Sequence, residues 1–126
     1  MTALMEHANY TVTDTAATAA WMKALFGWHI RWEGGARHEG HSVHVGTQSQ
    51  YLPLYQPKDK AAPRPDTYPY GSGLNHIAVV VADLDATEAA VRAYGFTPHS
   101  HGNYEPGRRF YFRDHDGIEY EVVQCD

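Results

Sequence analysis

The chain has 126 residues, 43% hydrophobic and 20% charged, with a net charge of −5 when histidine is neutral. That length holds one globular domain with a genuine core, and the acidic balance, with Arg108-Arg109 its one adjacent basic pair, excludes the basic stripe that nucleic acid requires. No apolar run approaches the roughly 20 residues of a membrane helix, the N-terminus lacks a signal-peptide layout, and the single Cys125 closes no internal disulfide, so a cytoplasmic protein with no membrane partner is expected.

Residues 6–13 alternate, with Ala8, Tyr10 and Val12 on one face and His7, Asn9, Thr11 and Thr13 on the other, which predicts a half-buried strand. Asp14 or Thr15 can cap the following helix, whose apolar stripe is Ala17, Ala20, Trp21, Ala24 and Leu25 and whose stop is Gly27. Residues 28–32 and 42–45 read as strands around a Gly-rich turn, and residues 51–55 as a fourth. The stretch 56–72 holds four of the seven prolines and predicts an extended linker. A second series follows. Residues 74–81 form its strand, and residues 86–94 its helix, which Asp85 and Glu88 open as a capping box. Residues 96–100, 108–113 and 118–124 are strands, with Asp114-His115-Asp116-Gly117 a tight turn between the last two.

The two series are one unit written twice. His7-Ala-Asn-Tyr-Thr-Val-Thr-Asp14 recurs as His76-Ile-Ala-Val-Val-Val-Ala-Asp83, and each following helix ends in Gly-aromatic, Gly27-Trp28 and Gly95-Phe96. The expected fold is α+β: two βαβββ repeats forming an eight-stranded cupped mixed sheet with helices on the outer face. The domain is single, 1–126, with a first module 1–56, a linker 57–72 and a second module 73–126. Strand parity turns His7 and His76 toward the concave side, and Glu119 and Glu121 as well, because Tyr120 and Val122 belong to the helix side. Two imidazoles and a carboxylate suit a divalent transition metal (Fe, Ni, Zn, Mn or Co) and leave coordination positions open for substrate oxygens.

With its paired His-x6-Asp openings, Gly-aromatic helix ends and the run from Phe110 to Glu121, the sequence resembles the vicinal oxygen chelate superfamily of glyoxalase I, extradiol dioxygenases and bleomycin- and fosfomycin-resistance proteins. Carried over residue by residue, the resemblance implies His7, His76 and Glu121 as metal ligands. The fourth family position falls at Pro53, or at Leu52 if the alignment slips by one, and no carboxylate lies between Glu39 and Asp59. The remaining set looks like the two-His, one-Glu triad of the dioxygenases. The resemblance further implies a small-molecule substrate with adjacent oxygens and a homodimer, in which the modules pair within or between chains.

His44, Tyr51 and Glu119 are the candidate acid/base groups. Tyr51, Tyr55, Arg109 and Tyr111 are candidate substrate-binding residues, although Tyr51 and Tyr55 can equally be edge-strand tyrosines and Arg109 the partner in a cross-strand salt bridge. The expected function is thus a metal-dependent enzyme of glyoxalase-like lyase or isomerase type, or of extradiol dioxygenase type. The rival is a metal-free drug-binding protein of the bleomycin-resistance type, which Pro53 favours and the three ligands disfavour.

Overall fold

A computed structural model describes residues 1–62 and 66–126. The chain divides into two compact units, Met1–Ala62 and Pro63–Asp126, with the same plan. The first runs β1 (Tyr10–Thr11), α1 (Thr15–Phe26), β2 (His29–Gly35), β3 (His41–Gly46) and β4 (Tyr51–Gln56). Its sheet has the order β1-β4-β3-β2, with β1 parallel to β4 and the other neighbours antiparallel. The second runs β5 (Ile77–Val80), α2 (Leu84–Tyr94), β6 (His99–Tyr104), β7 (Gly107–Arg113) and β8 (Glu119–Cys125). Its order, β5-β8-β7-β6, repeats the first, with β5 parallel to β8. The α+β class and the βαβββ repeat are those read from the sequence, and the eight strands make two four-stranded mixed sheets.

Each helix is framed as the repeat implies. Asp14 and Asp83 stand extended before α1 and α2 and accept the amides of Ala17 and Ala86 at 3.1 and 3.0 Å. Asp83 therefore opens α2, in place of the expected Asp85–Glu88 box, and Glu88 instead binds Arg92 and His101. Gly27 and Gly95 close the helices with φ of 71° and 111°, which only glycine takes without strain. A second cap is also duplicated. Gln56 Oε1 accepts the Thr15 amide at 2.9 Å and Gln124 Oε1 the Leu84 amide at 2.9 Å, so the last strand of each unit ties down the start of its own helix. Removing one acceptor orphans a first-turn amide. Gln124→Ala is expected to lower the unfolding free energy by about 1 kcal/mol, read from urea denaturation with an unchanged m-value.

The apolar faces differ in detail from the expected ones. In α1 the buried residues are Thr15, Thr18, Ala19, Trp21 and Met22, whereas Ala20 and Ala24 are exposed and Leu25 is half-buried. Alanines lie all round this helix, so the bulk of Trp21 and Met22 selects the face. The expected strand over 6–13 shortens to Tyr10–Thr11, leaving Ala8 exposed, because only this stretch pairs with β4 before the chain turns into the Asp14 cap. Likewise β6 begins at His99, not residue 96, with a bulge at Ser100, whose φ is 55°. Val12, Trp21, Val43, Val45 and Leu54 fill one core, and Leu84, Val91, Phe110, Phe112, Tyr120 and Val122 the other. Part of the expected linker, residues 63–65, lies outside the described residues. Residues 66–73 are not extended: Asp66 accepts the Tyr68 amide, and successive turns join Thr67 to Tyr70 and Tyr70 to Gly73. Among the described residues no helix is long and apolar enough to cross a membrane.

Candidate functional site

The register of the two sheets settles the repeat correspondence. Tyr10 lies beside Leu54 and Val79 beside Val122, and Tyr10 and Val79 are each three residues past their histidine. Pro53 is therefore the counterpart of Glu121, and Tyr51 of Glu119. Pro53 is buried opposite His44, so the first unit carries no carboxylate at that place.

In the second unit one face of β7 and β8 carries Arg109, Tyr111 and Arg113 against Glu119 and Glu121, while Phe110, Phe112, Tyr120 and Val122 pack on the other face. Both glutamates are almost wholly buried, which requires partners for their charges. Glu121 Oε2 receives Arg109 Nη1 at 2.5 Å, and its Oε1 lies 3.2 Å from His76 Nε2. Glu119 receives the Tyr68 hydroxyl on Oε1 and Arg113 Nη2 on Oε2 at 3.2 Å, with His99 Nε2 at 3.7 Å. His76 meets the Tyr111 ring edge-on, and His99, its cross-strand neighbour on β6, stacks on the same ring. Burial, followed by the Glu119 hydrogen bond, pushes the Tyr68 hydroxyl up to about 12, so it stays a donor through neutral pH. Burial raises Tyr111 further, with Tyr104 and Glu121 adding to it.

The first unit presents rings in place of carboxylates. Trp32, His44 and Tyr51 follow one another at centroid spacings of 4.9 and 5.0 Å, and His7 lies 5.5 Å beyond Tyr51. Arg31 sits 4.3 Å over the Tyr51 ring. Tyr51 donates to Glu6 Oε1, which also lies 3.0 Å from His7 Nδ1. These two hydrogen bonds, Tyr51 first, hold the Glu6 carboxyl below its ordinary range, and Glu6 in turn raises the Tyr51 hydroxyl. Burial, then the His7 and Arg31 charges, lowers His44 and favours its neutral form.

Of the expected residues, His76, Glu121, Glu119, Arg109 and Tyr111 come together in the second unit, and His7, His44 and Tyr51 in the first. Two are committed to other groups of the protein. Tyr55 donates to the Arg37 carbonyl at 2.7 Å, closing the turn whose His38 and Glu39 have φ of 57° and 62°. Arg109 is the cross-strand partner of Glu121, and its Nη2 is taken by the carbonyls of Tyr104, Glu105 and Gly107. It is therefore committed to the protein, which disfavours it as a substrate clamp. Tyr68, Glu6, Asn75, His99 and Arg113 belong to these clusters and carried no signal of periodicity, although Glu6 and Asn75 both precede the repeated histidines. Among the described residues no three His, Cys, Asp or Glu side chains are gathered as a metal ion requires. The His76–Glu121 pair itself fits such an ion: two ligands about 2.1 Å from one centre at near right angles stand about 3 Å apart.

Two mixed sheets of identical strand order, each with a histidine ahead of its first strand, define the paired-βαβββ class of protein. The chain belongs to the Glyoxalase/Bleomycin resistance protein/Dioxygenase superfamily, whose sequence model matches residues 4–122. Solved structures of the same fold include three that differ in what they bind. The trypanothione-dependent glyoxalase I of Leishmania major is 19% identical with a TM-score of 0.79, covering 98% of this chain and 87% of that one. The fosfomycin resistance protein of Listeria monocytogenes, in complex with Mn(II) and a dihydroxypropylphosphonic acid, is 18% identical with a TM-score of 0.76, covering 98% and 93%. The antibiotic-binding protein TnmS3 of Streptomyces sp. CB03234 is 20% identical with a TM-score of 0.75, covering 99% and 98%. A 27% identical match over 99 residues to the dual specificity protein kinase splA of Dictyostelium discoideum covers 70% of this chain but 4% of that protein, and carries no function across.

Proposed function

We propose that the protein is a metal-dependent enzyme of the glyoxalase or dioxygenase kind, which chelates a small vicinal-oxygen substrate through an ion held by His7, His76 and Glu121. The observation that carries the reading is the His76 Nε2–Glu121 Oε1 separation of 3.2 Å, a spacing suited to neighbouring ligands of one ion. His7 enters as the repeat counterpart of His76. Arg109 occupies the other Glu121 oxygen and so limits that carboxylate to a single ligating atom. When bound, a divalent transition metal supplies Lewis-acid polarisation of the substrate oxygens.

The chain's own residues do the rest. Tyr51 and His44 offer a ring face and a neutral base, and Glu119, held by Tyr68 and Arg113, offers a carboxylate for proton transfer. Pro53 departs from the glyoxalase I pattern of two carboxylates and favours the three-ligand set. The same proposal includes a single domain of modules 1–56 and 73–126 joined by 57–72, a homodimer, and a cytoplasmic location in keeping with the lone cysteine.

A second reading, a metal-free binder of an aromatic drug, is favoured by Pro53 and by the Trp32–His44–Tyr51 row. Metal content of untagged protein, purified without chelator and compared with His76→Ala, separates the two. About one equivalent of transition metal in the wild type, lost in the variant, is expected for a single three-ligand site. Neither protein taking up metal, even from excess Fe(II), Ni(II), Zn(II), Mn(II) or Co(II), sinks the enzyme and leaves the binder.

A further inference from the structure

We propose that the ring-bearing sheet face of the first unit is a subsite for a planar aromatic carboxylate, with Trp32 as the stacking surface and Arg31 as the anchor for the carboxylate. In that unit His44 is aligned with Trp32 on β2 and with Pro53 on β4. In the second unit Tyr111 is aligned in the same way with His99 and Glu121. The two copies have diverged at matched places. Where the second buries Glu119 and Glu121, the first has Tyr51 and Pro53, so an anion arriving there meets neither carboxylate.

The first unit also adds a cation. The register of β2 slips between Ile30 and Trp32, and the extra residue, Arg31, lies 4.3 Å over the Tyr51 ring. The matched place before His99 holds Pro98, which is buried. Arg31 is exposed, and among the described residues none of its N–H groups meets an acceptor. The Glu6 carboxylate on this face is engaged by Tyr51 and His7. A guanidinium laid on a ring keeps its fork free for the two parallel hydrogen bonds a carboxylate accepts.

Gly34 sets how Trp32 lies. A Cβ on Gly34 would stand 2.7 and 2.8 Å from Trp32 Cζ2 and Cη2, so the indole lies across the glycine, along its own strand. Trp32 remains 50% exposed, which leaves an aromatic surface for a second ring. That an aromatic carboxylate is the substrate rests on the enzyme reading; that it binds to this face does not.

The test titrates 2-naphthoate into the isotope-labelled full chain, without metal and again with Zn(II), and follows backbone and side-chain N–H signals by NMR. Trp32→Phe assigns the indole signal. The Arg31 and Trp32 signals are expected to move, and the neutral 2-naphthamide to bind about 10-fold more weakly. Arg31→Gln should weaken 2-naphthoate about 10-fold and leave 2-naphthamide unchanged. Trp32→Ala, and Gly34→Ala, which pushes the indole off its strand, should weaken both ligands about 5-fold.

No binding, signals moving elsewhere than this face, equal affinity for the neutral amide, or an affinity that Arg31→Gln leaves unchanged overturns the proposal. The two titrations keep it apart from the enzyme reading. Naphthoate bound at Arg31 and Trp32 by a protein that takes up no metal sinks the enzyme and keeps the subsite. Metal uptake without naphthoate binding sinks the subsite alone.

Discussion

Arg109→Met is expected to lower the melting temperature by about 10 °C or more. Arg109 is 6% exposed and its guanidinium lies 3.8 Å over the Tyr104 ring. Besides Glu121 it serves the carbonyls of Tyr104, Glu105 and Gly107 at 2.6, 2.8 and 3.2 Å. Methionine keeps the apolar stem but strands the Glu121 carboxylate, itself 6% exposed, without its cation. Breaking a buried pair costs far more than replacing both members by apolar residues, because the remaining charge is left desolvated. Arg109→Met/Glu121→Leu is therefore expected to recover most of the loss in differential scanning calorimetry. A double variant no more stable than Arg109→Met would mean that the carbonyl contacts, and not the ion pair, dominate. The same variant reports on function. If Glu121 is a ligand, Zn(II) replaces the missing positive charge and raises the melting temperature of Arg109→Met more than that of the wild type.

Much of this was legible in the chain. Period-two alternation and Gly stops located both helices and all eight strands, because those signals act within a few residues of themselves, but the cap of α2 was read at Asp85 and lies at Asp83. Strand length was not legible. Whether residues 6–13 pair over eight positions or two depends on how far β4 runs beside them, which is a property of the partner. The alanine-rich α1 hid its buried face for a related reason: small residues fit anywhere, and packing of Trp21 and Met22 decided. Parity put Glu119, Glu121, Arg109 and Tyr111 on one face correctly, since register in a sheet with one buried side is strongly fixed. It left Arg109 between substrate clamp and salt bridge, a choice made by a side-chain rotamer. Tyr68 was invisible, because its partner Glu119 is 51 residues away and its own segment is proline-rich and aperiodic. The Gln56 and Gln124 caps were in plain view as a further repeat. Only the sheet shows that they reach back to the helices they follow by some 40 residues.

The turn that closes the second sheet gives the other large effect. Asp114→Ala is expected to lower the unfolding free energy by about 2–3 kcal/mol, whereas Asp114→Asn stays within about 1 kcal/mol of wild type at neutral pH. Asp114 Oδ1 accepts the amides of Asp116 and Ile118 at 2.9 and 3.1 Å, and Oδ2 faces the buried Tyr120 hydroxyl at 3.4 Å. The backbone closes the same loop through Asp114 to Ile118 and Gly117 to Asp114, with Gly117 at φ 77°. Alanine orphans two amides that hold β7 against β8, the pair on which Arg109, Tyr111, Glu119 and Glu121 stand. Asparagine keeps the Oδ1 acceptor and discards the charge. That charge is costly here: burial outweighs the two amide hydrogen bonds and raises the Asp114 carboxyl above its ordinary value of 3.8. The folded state therefore holds this proton more tightly than the unfolded chain. Its contribution is fully present below the unfolded value and declines as pH rises through the raised folded one. The stability of Asp114→Asn minus that of wild type should accordingly increase from acid pH to pH 7 in urea denaturation. A difference that is flat or falls with pH would mean that the amide hydrogen bonds, not burial, govern this carboxylate, and that the turn is held by its charge.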